Sequence, residues 1–223
     1  MHRARPLRQL VISAPGRDFA HHAPGVARLN HASFGSPPIP VQHFQQEMRA
    51  SWLAAPDEAF FSGRLQAGIA EAAAAAAPLI RAGSDEVCLM ENATVATMTI
   101  FNRWMWSFVE GRAKQGEAIL ILSVVYKACE FALRATCGRA GAEIVIADLP
   151  FPNTSKDGVL EVVERTLKKY RVRFAFLDHI SSQPAMELPI KEMVSLCHGN
   201  GVQEVCVDGS HTIGSSQYDV SQV

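Results

Sequence analysis

The five cysteines, Cys88, Cys129, Cys137, Cys197 and Cys206, form no CxxC pair. That spacing leaves neither a zinc-ribbon site nor a disulfide frame to build on, so reduced thiols and a reducing compartment, the cytoplasm, are expected. No uninterrupted apolar run approaches the roughly 20 residues that a membrane-spanning helix needs. Charge of either sign is not in excess: 21 Lys and Arg stand against 22 Asp and Glu, a formal net charge of -1. This near-balance leaves no electrostatic case for nucleic acid or an anionic membrane, and points to a small molecule or another protein as partner. The phosphate-cradling patterns GxGxxG and GxxxxGK[ST] are missing, which disfavours the nucleotide folds built on them. Also absent are a metal-ligand cluster, a transferable Ser-His-Asp arrangement and an internal repeat.

What is there is a globular composition, 48% hydrophobic and 19% charged over 223 residues, ample for one large α/β core. The start carries Arg3, Arg5, Arg8 and Arg17 with no acid before Asp18. It reads as a flexible basic terminus or as an organelle-targeting peptide. Residues 38–53 place Val41, Phe44, Met48 and Trp52 on one helical face. A second helix is expected through the alanine run 72–77, with Pro78 kinking it or shifting its start and Gly83 suiting its stop.

Five short apolar runs follow: EVCLM (86–90), EAILILS (117–123), AEIVIADL (142–149), RFAFLDHI (173–180) and QEVCVDGSH (203–211). They are continuous rather than alternating and are spaced by helix-length segments at 93–111, 125–141, 158–171 and 189–201. This is the pattern of an α/β fold, a mainly parallel sheet with helices on both faces. Ligands in such folds collect at the carboxyl ends of the strands, so the residues just after each run are the candidates. After the first run, Asn92, Ala93 and Thr94 stand at a helix start that suits either a phosphate or an ordinary N-cap. After the second, Tyr126 suits stacking on a flat heterocycle or plain packing. After the fourth, Asp178, His179, Ser181 and Ser182 occupy a turn-rich stretch that suits a ligand or a solvated loop. Asp208 ends the fifth run; a buried carboxylate is costly without a cationic or donor partner, and a protonated pyridine nitrogen is such a partner. His211 lies three residues on; the two suit one ligand, or else Asp208 caps a following helix and His211 points to solvent.

The ordered set LNHASFGSPP, PDEAFFSGRL, DEVCLMENATVATMTI, VVYKACEFAL and FLDHISSQPAMELPIKEMVSLCHGNGVQEVCVDGSHTIG resembles the amino-terminal part of class V aminotransferase-fold proteins that use pyridoxal 5'-phosphate (PLP). The branch it most resembles is the isopenicillin N epimerase-like group, with its cysteine desulfhydrase-type lyases. The resemblance implies a truncated large domain of the fold-type I PLP enzymes and assigns roles. Ala93 and Thr94 would contact the cofactor phosphate, Tyr126 would stack on the ring, and Asp208 would pair with the pyridine nitrogen so that the ring acts as an electron sink. Ser181 and His211 would lie near the ring's phenolic oxygen, and Asn30 and His31 near the substrate. Residues 1–18 would be the basic terminus, 19–56 an amino-terminal segment with a helix, and 57–223 an incomplete PLP-binding domain.

In the family the Schiff-base lysine follows the VDGSH motif, and none of Lys114, Lys127, Lys156, Lys168, Lys169 and Lys191 stands in such a context. The resemblance therefore implies that the catalytic lysine and the carboxyl-terminal small domain lie beyond Val223. Two expectations follow: an epimerase or carbon-sulfur lyase of which this is the front part, working as a homodimer on an amino acid; or a non-catalytic truncated product that binds cofactor weakly or serves as an interaction module.

Overall fold

A computed structural model describes residues 15–151, 155–216 and 219–222; most of the basic terminus, with Arg3, Arg5 and Arg8, lies outside them. The chain divides into two compact units, Met1–Leu89 and Met90–Val223.

The described part of the first unit is helical. It contains α1 (Pro15–Asp18), α2 (His31–Phe34), α3 (Ile39–Ala54), α4 (Pro56–Phe61) and α5 (Arg64–Ile80). On α3 the apolar face is only half covered: Val41, Phe44 and Trp52 are half-buried and Met48 is exposed. Helix α5 runs through Pro78 in its last turn and stops at Arg81, which adopts the left-handed conformation (φ 56°) and donates its N–H to Ala77 and Pro78. The stop thus falls two residues before Gly83, the expected one. Beyond it, residues 87–90 are not a strand, contrary to expectation. Val87 has extended dihedrals, but extended backbone becomes a strand only beside a partner ladder. Leu89 and Met90 remain exposed.

The second unit is built on a parallel four-stranded sheet, β1 (Ala118–Leu122), β2 (Glu143–Ala147), β3 (Val172–Asp178) and β4 (Glu204–Asp208), in the order β2-β1-β3-β4. Central β1 is buried at every position and β3 nearly so, as their continuous hydrophobic runs require. Alternate residues feed two cores. Leu120, Leu122, Ala175 and Leu177 pack under α8 (Lys156–Lys169) and α9 (Ile190–Gly199). Ile119, Ile121, Phe174 and Phe176 pack under α6 (Ala93–Val109) and α7 (Lys127–Leu133). Trp104 lies flat on Phe174, centroids 4.9 Å apart. Its indole N–H donates to Glu204 at 3.0 Å, so the buried ring leaves no polar atom stranded. The expected helix over 125–141 is regular only to Leu133 and widens into a π-turn at Arg134–Gly138. The chain runs from β1 outward to β2, then crosses to β3 and β4, so the strand order reverses between β1 and β3. The crevice outside the carboxyl ends at such a reversal is where ligands sit in open α/β sheets.

Candidate functional site

Three segments leave the carboxyl end of the sheet beside this reversal. The first, after β1, delivers Tyr126 to the N-cap of α7, where its carbonyl accepts from Cys129 (2.9 Å) and Glu130 (3.2 Å). The backbone is thereby fixed while the side chain is left outside, and Tyr126 is 54% exposed. The second, after β3, begins with Asp178 and His179; the third, after β4, with Asp208.

Asp178 and Asp208 are register partners on adjacent parallel strands. Both continue the parity of Phe174, Phe176 and Cys206, so both side chains face α6 and α7. Asp178 is 3% exposed, and its Oδ2 has no hydrogen-bond partner. Asp208 is half-buried; its Oδ1 accepts from the backbone N–H of Ser210 (2.9 Å) and from the Ser210 hydroxyl (2.5 Å), closing a turn. No helix follows among the described residues as far as 216, so Asp208 is not a helix cap. Among the described residues no Lys, Arg or His forms an ion pair with either acid. Two ionised carboxylates on strands whose axes lie about 5 Å apart repel, by on the order of a few kcal/mol at an effective dielectric of about 20. Burial first, and then the Asp208 charge, push Asp178 up to about 7.

Two thiols adjoin the acids. Cys129 is pushed up to about 11 by burial and by Asp208 and Asp178, and Cys206 to about 12 by burial, Asp208 and Cys129. Both are therefore protonated and poorly nucleophilic near neutrality. Cys129 also meets the Thr97 hydroxyl, which donates to the carbonyl of Ala93 in the first turn of α6. That links the two acids to the α6 N-terminus. There Asn92 caps the helix, its Oδ1 accepting from Val95 N–H at 2.9 Å. The N–H groups of Ala93 and Thr94, both exposed, are first-turn donors that no intrahelical carbonyl reaches. The capping and anion-binding readings of Asn92, Ala93 and Thr94 are thus compatible.

His179 ties the last two segments together. Its N–H donates to the Asp208 carbonyl (2.9 Å) and its carbonyl accepts from Leu188 (2.8 Å). Its Nδ1 lies 3.0 Å from the Thr212 hydroxyl and its Nε2 3.6 Å from a Glu187 oxygen. His211 is half-buried in the turn that Thr212 anchors. Ser181 is 1% exposed, and its hydroxyl donates to the Pro184 carbonyl at 2.5 Å. In this structure the hydroxyl of Ser181 thus serves the 181–186 turn. Asn30 and His31 belong to the first unit. Asn30 caps α2 by accepting from Ser33 (3.3 Å), and the exposed His31 ring contacts Phe19 and His22.

Asp178 and His179 stood among the residues noted after the fourth run but were assigned no role, and Thr212 was not noted. The signal for Asp178 was present, an acid ending a buried run as Asp208 does; the other two needed the fold. Of the cavities, one of about 390 Å³ beside Lys156 and Leu188 and one of about 700 Å³ between α8 and α9 lie on the other face of the sheet. The described residues contain no group of three or more metal-ligating side chains and no helix long and apolar enough to cross a membrane.

An uncompensated acid pair beside free helix N–H groups fits a ligand that is cationic at one end and carries a phosphate at the other. PLP, with its ring nitrogen and phosphate, has that form. Residues 41–223 match the profile of the family described as Aminotransferase class-V. The chain is 37% identical to Putative L-cysteine desulfhydrase 1 of Oryza sativa subsp. japonica, over 99% of this chain and 47% of that protein. It is 35% identical to the L-cysteine desulfhydrase of Arabidopsis thaliana, over 92% and 46%. Among solved structures, it superposes with a TM-score of 0.77 and 19% identity on a C-DES lysine-to-alanine mutant with glycine covalently linked to its PLP cofactor, covering 94% of this chain and 53% of that one. The chain thus spans about half the length of the curated relatives it matches.

Proposed function

Because the chain belongs to the class-V aminotransferase family, we propose that it forms the cofactor-binding part of a PLP-dependent carbon-sulfur lyase acting on a cysteine-type amino acid. The observation that carries the reading is the pair Asp178–Asp208, two acids at adjacent strand ends with no cation among the described residues to balance them. PLP, when bound, supplies an electron sink for negative charge developing at the substrate's α-carbon.

The chain's own residues divide the work of holding it. Asp208, oriented through Oδ1 by Ser210, keeps a carboxylate oxygen for the ring nitrogen and holds the proton there. The first-turn N–H groups of Ala93 and Thr94, with the Thr94 hydroxyl, receive the phosphate at the positive end of α6. Tyr126, exposed above the strand ends, covers one face of the ring and excludes water from it. His211, in the turn fixed by Thr212, adjoins the ring's oxygen side. Asn30 and His31 are assigned to the substrate side by family resemblance alone.

The relatives named as cysteine desulfhydrases favour carbon-sulfur cleavage over epimerisation. Raised thiol pKa values make Cys129 and Cys206 poor sulfur-accepting nucleophiles near neutrality. Lys127, next to Tyr126, is paired with Glu130 at 2.7 Å, and Lys156 and Lys168 are paired with Glu192 and Glu164. By resemblance to the family, none of the six lysines stands in the Schiff-base context, so these 223 residues hold the cofactor without a covalent bond; the complete enzyme works as a homodimer in a reducing compartment. The test is the visible absorption of the 223-residue chain titrated with PLP, before and after borohydride, with intact mass. Saturable binding without a mass gain is expected. No binding refutes the reading, and a stable adduct on one lysine refutes its non-covalent part. Sulfide release from cysteine by the complete gene product tests the reaction.

A further inference from the structure

Resting on the PLP reading, we propose that Asp178 is a positioning residue that takes up the one proton shared with Asp208, leaving Asp208 as the carboxylate that meets the ring nitrogen. The arrangement is geometric before it is electrostatic. The two acids are register partners with side chains on one face, and they differ in access and in partners. Asp208 is half-buried and has two donors from Ser210. Asp178 is 3% exposed with an oxygen that no group satisfies. Desolvation penalises the charged form of the enclosed acid, so a single proton goes to Asp178 rather than to its half-buried neighbour. Two acids so close share a proton in other enzymes' dyads for the same reason.

The groups facing the pair are consistent with this assignment. From β4 comes the Cys206 thiol; from α7 the Cys129 thiol; from α6 the Thr97 hydroxyl. Both thiols are neutral around pH 7, so Asp208 is the charge that Asp178 meets, and it raises Asp178 further. In its neutral form Asp178 fixes the site at one negative charge, which matches one protonated ring nitrogen and spares the phosphate a second repulsion.

The sign of the linkage follows. An acid whose folded pKa is raised makes the folded state bind the proton more tightly, so stability falls as pH rises from the unfolded value near 4 to the folded value of about 7. The experiment compares the wild-type chain with D178N, first without cofactor and then with PLP. Without cofactor, the wild-type unfolding midpoint should drop by about 6 °C more than that of D178N between pH 5.5 and 8. His22 and His179, both lowered by burial, contribute to both chains and cancel in the difference. With PLP, the wild-type absorption band should shift with pH around 7, and D178N should hold one spectrum across that range.

Superimposed stability profiles overturn the shared proton, and a D178N spectrum that moves with pH as wild type does overturns the positioning role. A stability difference without any PLP binding leaves the shared proton standing and sinks the cofactor reading. If D178N does not fold, the carboxyl 13C titration of the wild-type chain reads the same proton: an Asp carboxyl titrating near 7 supports the proposal, and all below 5 overturn it.

Discussion

The backbone N–H of His179 donates to the carbonyl oxygen of Asp208 at 2.9 Å, so the residue that follows β3 holds the residue that ends β4. The same histidine reaches the buried Thr212 hydroxyl through Nδ1 at 3.0 Å. The turn bearing Asp208 and His211 is thereby pinned at both ends. Thr212→Val removes the hydroxyl at nearly constant volume and deletes a buried hydrogen bond. It should cost about 1–3 kcal/mol of stability, measured by urea unfolding, and Thr212→Ser should recover most of it.

Asp208→Asn tests the ring-nitrogen partner. Asparagine keeps the shape but replaces a charge-assisted hydrogen bond by a neutral one, a loss of about 1–2 kcal/mol and so about tenfold in PLP affinity. Turnover of the complete enzyme should fall much further, because the ring's electron demand depends on the proton that Asp208 holds. Equal losses in binding and turnover would show that Asp208 serves binding alone; absorption titration and steady-state rates provide the comparison.

Strand number and site were legible in the sequence to different degrees. Four of the five apolar runs became strands because each finds a neighbouring strand to pair with. Residues 86–90 have the same composition but gain no partner ladder, and pairing is a property of the whole sheet that no local run encodes. Asp208 could be singled out because a charge ending a buried run demands a partner. Asp178 carries the same signal in DHISS, but its importance comes from register with Asp208, set by the β3–β4 pairing. Ser181 has the right chemistry for a ligand, but its hydroxyl closes its own turn on Pro184, a local competition invisible in residue type.

The two roles at the start of α6 separate by substitution. Asn92→Ala deletes the cap to Val95 N–H and should cost about 1 kcal/mol of stability, with little effect on phosphate-dependent PLP affinity. Thr94→Val should leave stability nearly unchanged and weaken PLP several-fold. Differential scanning calorimetry and PLP titration distinguish them, and a Thr94→Val chain that binds as wild type removes Thr94 from the phosphate site.

Thiol reactivity offers a test that needs no cofactor. Burial and the nearby acids push Cys129 up to about 11 and Cys206 to about 12, and burial pushes Cys197 to about 12. Their thiolate fractions at pH 8 are thus about a thousandth or less. Exposed Cys88 should be the first modified by iodoacetamide at that pH, with Cys129, Cys197 and Cys206 reacting only on unfolding. Peptide mass mapping over time gives the order; early modification of Cys129 would mean that α7 stands off the sheet.

Tyr126 is the sharpest discriminator between a ligand platform and a structural aromatic. A structural tyrosine stabilises by burial, but this one is 54% exposed, with its backbone already fixed by Cys129 and Glu130. Tyr126→Ala should therefore leave the unfolding midpoint of the cofactor-free chain almost unchanged. It should weaken PLP by about tenfold, since loss of one aromatic stack costs about 0.5–1.5 kcal/mol and the uncovered ring face adds to that. Tyr126→Phe keeps the face and loses only the hydroxyl, so it should bind PLP close to wild type and retain the bound absorption band. If Tyr126→Phe proves as weak as Tyr126→Ala, the hydroxyl and not the ring makes the contact. If Tyr126→Ala instead lowers stability without touching affinity, the side chain belongs to the packing of α7 and the ring-stacking assignment fails.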